Sequence, residues 1–331
     1  MAFTLIICTY MRSKALTRLL ESIKIQTLSP ESILVIDSST NDETKDLIKS
    51  LGLDIIDYYQ VDDAHRGLTK QRNYGVSKVP VSCDIVCFLD DDTILDPTFF
   101  EKLLSTYQLY PEALGVGGYI TNEVTWNIAD GSHSSSKFYY EGWMREEPFR
   151  FRVRTRLGLH PDRPPCYLPT FSHGRSVSFL PPSGRIYEVE HFMGGVASYR
   201  REVFEKIQFS SYFDGYGLYE DADFCFRLAT LGKLYVHTDA RLEHHHEVSG
   251  RPNMYRYGKM VLRNGWYIWK VRYPHPKPKA TIKWHLTALV LMSLTFMGVF
   301  TSNKKKQALQ EGMGRLMGWC SLFFNKPKVR L

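Results

Sequence analysis

Asp90-Asp91-Asp92 follows directly on the apolar run Asp84-Ile85-Val86-Cys87-Phe88-Leu89. A run rich in β-branched and aromatic residues predicts a buried strand. Three carboxylates at its end repel one another unless positive charge lies between them. Open α/β sheets bind ligands beyond the carboxyl ends of their strands, and hard oxygen donors there suit Mg²⁺ or Mn²⁺, which also bridge phosphate oxygens. The chemistry implied is a cation holding a diphosphate. The plainer alternative is a solvated acidic turn ahead of a helix that starts near Asp96-Pro97.

The elements that must position these acids are legible around them. Phe3–Thr9 reads as a first buried strand running into Tyr10-Met11-Arg12, and Leu16, Leu19, Leu20 and Ile23 follow at helical spacing. Ser32–Ile36 is a second strand closing on Asp37, with a helix through Leu47, Ile48 and Leu51 stopped by Gly52. A third strand is expected at 54–60. This alternation predicts a mostly parallel sheet flanked by helices. Neither a Gly-x-Gly-x-x-Gly turn nor a Walker-type lysine follows the first strand, so a cation would have to neutralise any bound phosphates.

Further candidates lie in the second half. Gly194-Gly195 precedes a predicted helix at 200–204, and two such small residues let backbone approach a ligand closely. Glu220, Asp221 and Asp223 open another helix, where acids also complement the helix dipole; Asp223 has an ion-pair partner four residues on in Arg227. Of His244-His245-His246, alternating side chains allow only His244 and His246 to share a strand face.

Ile6–Tyr10, Val35-Ile36-Asp37, Arg72-Asn73-Tyr74-Gly75, Asp90-Asp91-Asp92 and Glu220-Asp221 together resemble the ordered signature of the family 2 glycosyltransferases, inverting enzymes with a GT-A fold. The resemblance covers roughly residues 1–270 and implies roles residue by residue. Thr9 and Tyr10 would line the nucleotide pocket, with Arg12 and Asp91 beside the donor. Asp37 would accept a hydrogen bond from the base, as a carboxylate suits an imide N–H. Arg72 would face the nucleotide or its phosphates, and Asp90 would touch the ribose. Asp92 would ligate the cation, and the segment ending at His244 is similar to one that carries a metal-facing histidine. Asp221 would be the base that takes the acceptor's proton, helped by Glu220.

Composition bounds the rest. A net charge of +7 comes without any compact basic-aromatic module, so nucleic acid is not an expected partner. Six scattered cysteines without a Cys-x-x-Cys pair predict a reducing compartment. The amino terminus opens on a core strand, from which no leader and a cytoplasmic catalytic part are expected. Between 126 and 190 the periodicity fades into loops rich in aromatics and arginine, readable either as an acceptor site or as a structural flap.

After the basic, proline-rich stretch 273–279, the uncharged run 286–300 is shorter than a clean span and flanked by lysines. A second helix follows with Leu309, Met313, Leu316, Met317, Cys320 and Phe324 on one face. Two helices lying on the inner leaflet are expected; a true span, or a soluble pair packed on the protein or on a second copy, are the alternatives.

The organisation read from sequence is a GT-A-like domain at 1–273, with a nucleotide half at 1–125 and an acceptor half at 126–273, then a membrane-associated tail at 274–331. The function expected is cation-dependent transfer from a UDP- or dTDP-sugar to a glycan or lipid-linked acceptor in cell-surface polysaccharide synthesis. A silent sugar-nucleotide binder of the same fold and a nucleotidyltransferase are the alternatives.

Overall fold

The computed structural model describes residues 1–131, 133–246 and 252–329. They divide into two compact units, Met1–Val124 with Pro182–Gly250 and Thr125–Pro181 with Arg251–Leu331.

The first unit begins with strict alternation: β1 (Phe3–Thr9), α1 (Ser13–Lys24), β2 (Ser32–Asp37), α2 (Glu43–Leu51), β3 (Ile56–Gln60), α3 (Leu68–Val76) and β4 (Ile85–Asp90). A short β5 (Thr93–Leu95), α4 (Phe99–Leu109) and β6 (Ala113–Ile120) complete its first segment. Strands β1, β2 and β4 are buried almost throughout, as continuous apolar runs covered on both faces must be. Helix α1 buries Leu16, Leu19, Leu20 and Ile23, the expected stripe. Helix α2 ends at Gly52, which takes a left-handed φ of 55°. Helix α3 has no apolar periodicity, and the sequence reading missed it. Gly75 lets it settle on the sheet, since a Cβ there would lie 2.8 Å from Ile6 Cγ2.

The chain then enters the second unit with β7 (Asn127–Ile128), β8 (Lys137–Tyr140), β9 (Trp143–Glu146) and α5 (Phe149–Arg156). The stretch expected to be loops therefore contains a small antiparallel sheet, ordered β7-β9-β8. Its arginines and aromatic rings pack on one another. Arg145 lies over Phe179 at 4.2 Å, and Arg175 over Phe138 and Phe151 at 4.6 and 4.9 Å. Buried Arg154 donates to the carbonyls of Leu159 and His173.

Back in the first unit come β10 (Ile186–Val189), β11 (Val196–Arg200), α6 (Val203–Lys206), α7 (Glu220–Leu228) and β12 (Lys233–His244). The residues after Gly195 thus form a strand, and the helix expected there shrinks to one turn. The sheet order is β10-β12-β6-β11-β4-β1-β2-β3, with β5 added to β12. β3, β2, β1 and β4 run parallel, as do β6 and β12, whereas β5, β10 and β11 are antiparallel to their neighbours. The mixed α/β architecture expected from the sequence is the one observed. Because β10–β12 hydrogen-bond into this sheet, residues 182–250 belong with the first half of the chain. The boundary drawn from sequence at 125/126 joined them to the inserted stretch instead.

The second unit ends in α8 (Met254–Arg272), α9 (Pro278–Thr301) and α10 (Lys305–Phe324). Helix α8, assigned by sequence to the domain at 1–273, belongs with the tail. It meets α10 backbone to backbone: a Cβ on Gly314 would strike the Tyr255 carbonyl, and one on Gly318 would lie 2.9 Å from the Lys259 carbonyl. Helix α9 has 24 residues because Pro278 starts it before the apolar run does. At about 36 Å, it is long and apolar enough to cross a bilayer, which corrects the short run read from sequence.

Candidate active site

Strand register assembles the site. Thr9 pairs with Asp37 across β1 and β2, and Cys8 with Asp90 across β1 and β4. β2 and β4 flank β1 on opposite sides, so the carboxyl end of β1 is a switch point where a crevice opens.

The three consecutive acids separate by side. Asp91 is buried, accepting the Thr9 hydroxyl at 2.7 Å and Arg12 Nη1 at 3.0 Å. Burial pushes its carboxyl up to about 7, against the pull of Arg12 and Thr9. Asp90 and Asp92 turn the other way and converge with His244, all three offering ligand atoms within 4.8 Å of one another. Asp92 Oδ1 lies 3.0 Å from His244 Nε2, and Arg12 reaches its other oxygen at 3.5 Å.

His244 arrives there because β5, directly after the aspartates, pairs with the end of β12, Thr93 opposite His244. Asn122, just past β6, clamps the His244 backbone, accepting its N–H at 3.0 Å and donating to its carbonyl at 3.1 Å. Burial opposes a charged His244, but the carboxylates of Asp92 and Glu123 beside it raise it to about 10. Two carboxylates about 4 Å apart repel by about 4 kcal/mol at an effective dielectric of about 20. Two carboxylates and one imidazole converging at a strand end fit a divalent cation such as Mg²⁺ or Mn²⁺.

Arg72, 3% exposed, lies between Asp90 and Glu220. Its Nη1 donates to Glu220 and its Nη2 lies 3.5 Å from Asp90, while the rings of Phe88 and Phe209 flank the guanidinium. Burial would ease its proton off, but Glu220 and Asp90 outweigh that and hold Arg72 charged. In this conformation the arginine expected to face phosphates instead ties α3 to β4 and α7.

Gly194 and Gly195 serve close approach, though to side chains of this chain. A Cβ on Gly195 would overlap the Asp90 carboxylate, and one on Gly194 would lie 2.6 Å from Arg72 Nη1 and 2.9 Å from Glu220 Oε1. Asp221, at the start of α7, is only partly buried, whereas Glu220 is 4% exposed. Asp221 Oδ2 accepts the Gly194 N–H at 3.2 Å, and Oδ1 accepts the Ala222 N–H at 2.7 Å. Tyr219 turns the chain into α7 at a φ of 70°, a strained value for a bulky residue. Asp223, expected in the first turn of a helix with Arg227 as its ion-pair partner, makes that pair at 2.7 Å and is fully buried.

Asp37 is fully buried too. Its Oδ1 accepts the Ser39 N–H at 2.8 Å and its Oδ2 accepts the Tyr58 hydroxyl at 2.9 Å. Both carboxylate oxygens of Asp37 are thus engaged within the protein. Tyr10 is exposed on the rim, with Arg66 over its ring at 5.8 Å. The sequence reading missed Tyr58, Asn122, Glu123 and Gln71, which donates to the carbonyls of Thr9 and Ile36 at 3.1 and 2.8 Å. Asn122-Glu123 carried a usable signal, a polar pair one residue beyond the end of an apolar strand; Gln71 carried none.

Residues 4–208 match the family model described as Glycosyl transferase family 2. A glucosyl-dolichyl phosphate glucuronosyltransferase of Haloferax volcanii is 29% identical over 144 residues, 42% of this chain and 44% of that protein. The O-antigen chain rhamnosyltransferase RfbN of Salmonella typhimurium is 38% identical over 119 residues, 36% of this chain and 37% of that protein. The matched stretch is thus less than half the length of either relative. S. aureus TarS 1-349 has a similar fold, with a TM-score of 0.53 at 15% identity over 97% of this chain and 80% of that one.

Proposed function

Because the chain belongs to glycosyl transferase family 2, we propose that this glycosyltransferase moves a hexosyl or deoxyhexosyl group, with inversion, from a UDP- or dTDP-sugar to a glycan or lipid-linked acceptor in cell-surface polysaccharide synthesis. The observation that carries the reading is the gathering of Asp90, Asp92 and His244 on the rim that also holds Asp221, a partly exposed acid.

In this reading Asp221 accepts the acceptor hydroxyl's proton as that oxygen attacks the anomeric carbon, and the diphosphate departs from the opposite face. Gly194 N–H holds one Asp221 oxygen in place. Glu220 cannot share the role while it neutralises buried Arg72. Asp90, Asp92 and His244 would hold Mg²⁺ or Mn²⁺, which when bound neutralises charge on the leaving diphosphate. Arg12 lies beside Asp91 and Asp92, within the same crevice.

Support for a UDP donor and a cation comes from fold neighbours solved with UDP, TarS, and with UDP, GalNAc and Mn²⁺, GalNAc-T7. Support for a lipid-linked acceptor comes from the dolichyl phosphate in one relative's name. Helix α9, apolar and largely uncovered within its own unit, fits attachment to the cytoplasmic membrane face.

The test is calorimetric binding of UDP, dTDP and their sugars to the full-length protein, with Mn²⁺, with Mg²⁺ and in chelator. Binding should need the cation, and Asp92→Asn should remove that dependence. Full-strength binding in chelator, unchanged by Asp92→Asn, would refute the cation site.

A further inference from the structure

The cation site accounts for one ring nitrogen of His244 and leaves the carboxylate beside the other unexplained. Glu123 Oε1 lies 3.7 Å from His244 Nδ1 and 3.0 Å from His246 Nε2. The two imidazole rings approach to 4.0 Å between centroids. His244 Nδ1 is buried and has no hydrogen-bond partner among the described residues.

A neutral imidazole that gives Nε2 to a cation carries its proton on Nδ1. Left buried without an acceptor, that N–H would cost about 1–3 kcal/mol. Glu123 is the carboxylate placed to accept it, and its neighbour Asn122 already clamps the His244 backbone. One dipeptide past β6 thus addresses both the main chain and the ring of the same residue. His246 Nε2 contacts the same Glu123 oxygen, Oε1. Closing 3.7 Å to a charge-assisted bond of about 2.8 Å needs the ring to shift by about 1 Å, as Nε2 leaves Asp92 for the ion.

We propose that Glu123 is a positioning residue: it accepts the Nδ1–H of His244, and so sets the tautomer and the aim of Nε2 at the cation. This rests on the cation reading above. The competing arrangement is a separate metal site built from Glu123, His244 and His246, whose ligand atoms also lie within 4.8 Å of one another.

The experiment titrates Mn²⁺ into the full-length protein at saturating UDP and follows free Mn²⁺ by paramagnetic resonance. Wild type should bind one ion per chain. Glu123→Ala should weaken Mn²⁺ by about 10- to 100-fold, the usual effect of losing such an outer partner. Glu123→Gln should recover most of that loss, because the amide oxygen still accepts. Glu123→Leu keeps the shape without the acceptor and should behave like the alanine variant, which guards against a folding artefact. His246→Ala should change affinity by less than about threefold, as it leaves the Glu123 carboxylate in place.

Unaltered Mn²⁺ affinity in both Glu123→Ala and Glu123→Leu overturns the proposal while leaving the cation site standing. Two ions per wild-type chain, one of them lost equally in Glu123→Ala and His246→Ala, also overturns it and establishes the separate site. Wild type that binds no Mn²⁺ with UDP brings down the cation reading itself.

Discussion

At the scale of single residues, the acids of this site differ by what neutralises them. Asp91 has Thr9 and Arg12, Glu220 has Arg72, and Asp223 has Arg227. Asp221 alone among them is held by backbone N–H groups and stays partly open. Asp221→Asn should therefore leave donor affinity nearly intact and lower kcat by at least about 100-fold, the share general-base catalysis usually supplies. Glu220→Gln should act on stability instead, since it removes the main counter-charge of a buried arginine. Breaking such a pair costs about 3–5 kcal/mol, read as a lower denaturant midpoint. Near-normal turnover of Asp221→Asn with its true acceptor would transfer the base role elsewhere. Gly195 belongs to the same scale. Gly195→Ala sets a methyl against the Asp90 carboxylate and should abolish cation-dependent UDP binding, as calorimetry would show.

At the scale of elements, the site depends on a three-residue strand. β5 is only Thr93-Ile94-Leu95, yet its pairing with β12 carries His244 from a distant part of the sequence to the aspartates. The helical unit depends on glycine. Gly314 and Gly318, spaced one turn apart on α10, let its backbone lie against Tyr255 and Lys259 of α8. Gly314→Val should force the helices apart and cost about 1–3 kcal/mol or more, as overpacking does. Gly298→Ala, which meets only the Ala308 methyl at 3.2 Å, should cost far less. Equal thermal midpoints for the two variants would show that the seam does not depend on close backbone contact.

At the scale of the whole molecule, apolar surface and positive charge coincide in the carboxyl-terminal helices. Helix α9 buries Trp284, Thr287, Ala288 and Met292 along one stripe. Its other faces expose Ile282, Leu286, Met297 and Phe300, the last 84% exposed. Lys304-Lys305-Lys306 follows directly, and each lysine near anionic lipid contributes about 1 kcal/mol. The double variant Met297→Glu/Phe300→Glu leaves the buried stripe alone. It should lower co-sedimentation with anionic liposomes several-fold while UDP affinity is unchanged. Wild type that floats free of such liposomes at moderate salt would reassign the exposed face to protein contacts.

Continuous apolar runs determine strands without help from tertiary context, because a buried parallel strand needs apolar residues on both faces. That is why β1, β2 and β4, the stripe of α1 and the placing of Asp90–Asp92 at a strand end were legible in the sequence. The gathering of Asp92 with His244 was reached there only through family resemblance. What only the tertiary structure decided follows from contacts between residues distant along the chain. Asp37 and Arg72 are ordinary polar residues in one dimension. Their burial against Tyr58 and Glu220 depends on how β3 and α7 close over the sheet ends. Glu123 faces His244 across 121 positions of sequence because β6 and β12 are adjacent parallel strands. The unit boundary was hidden for the same reason: hydrogen bonds across the sheet, and not proximity along the chain, join residues 182–250 to the amino-terminal strands.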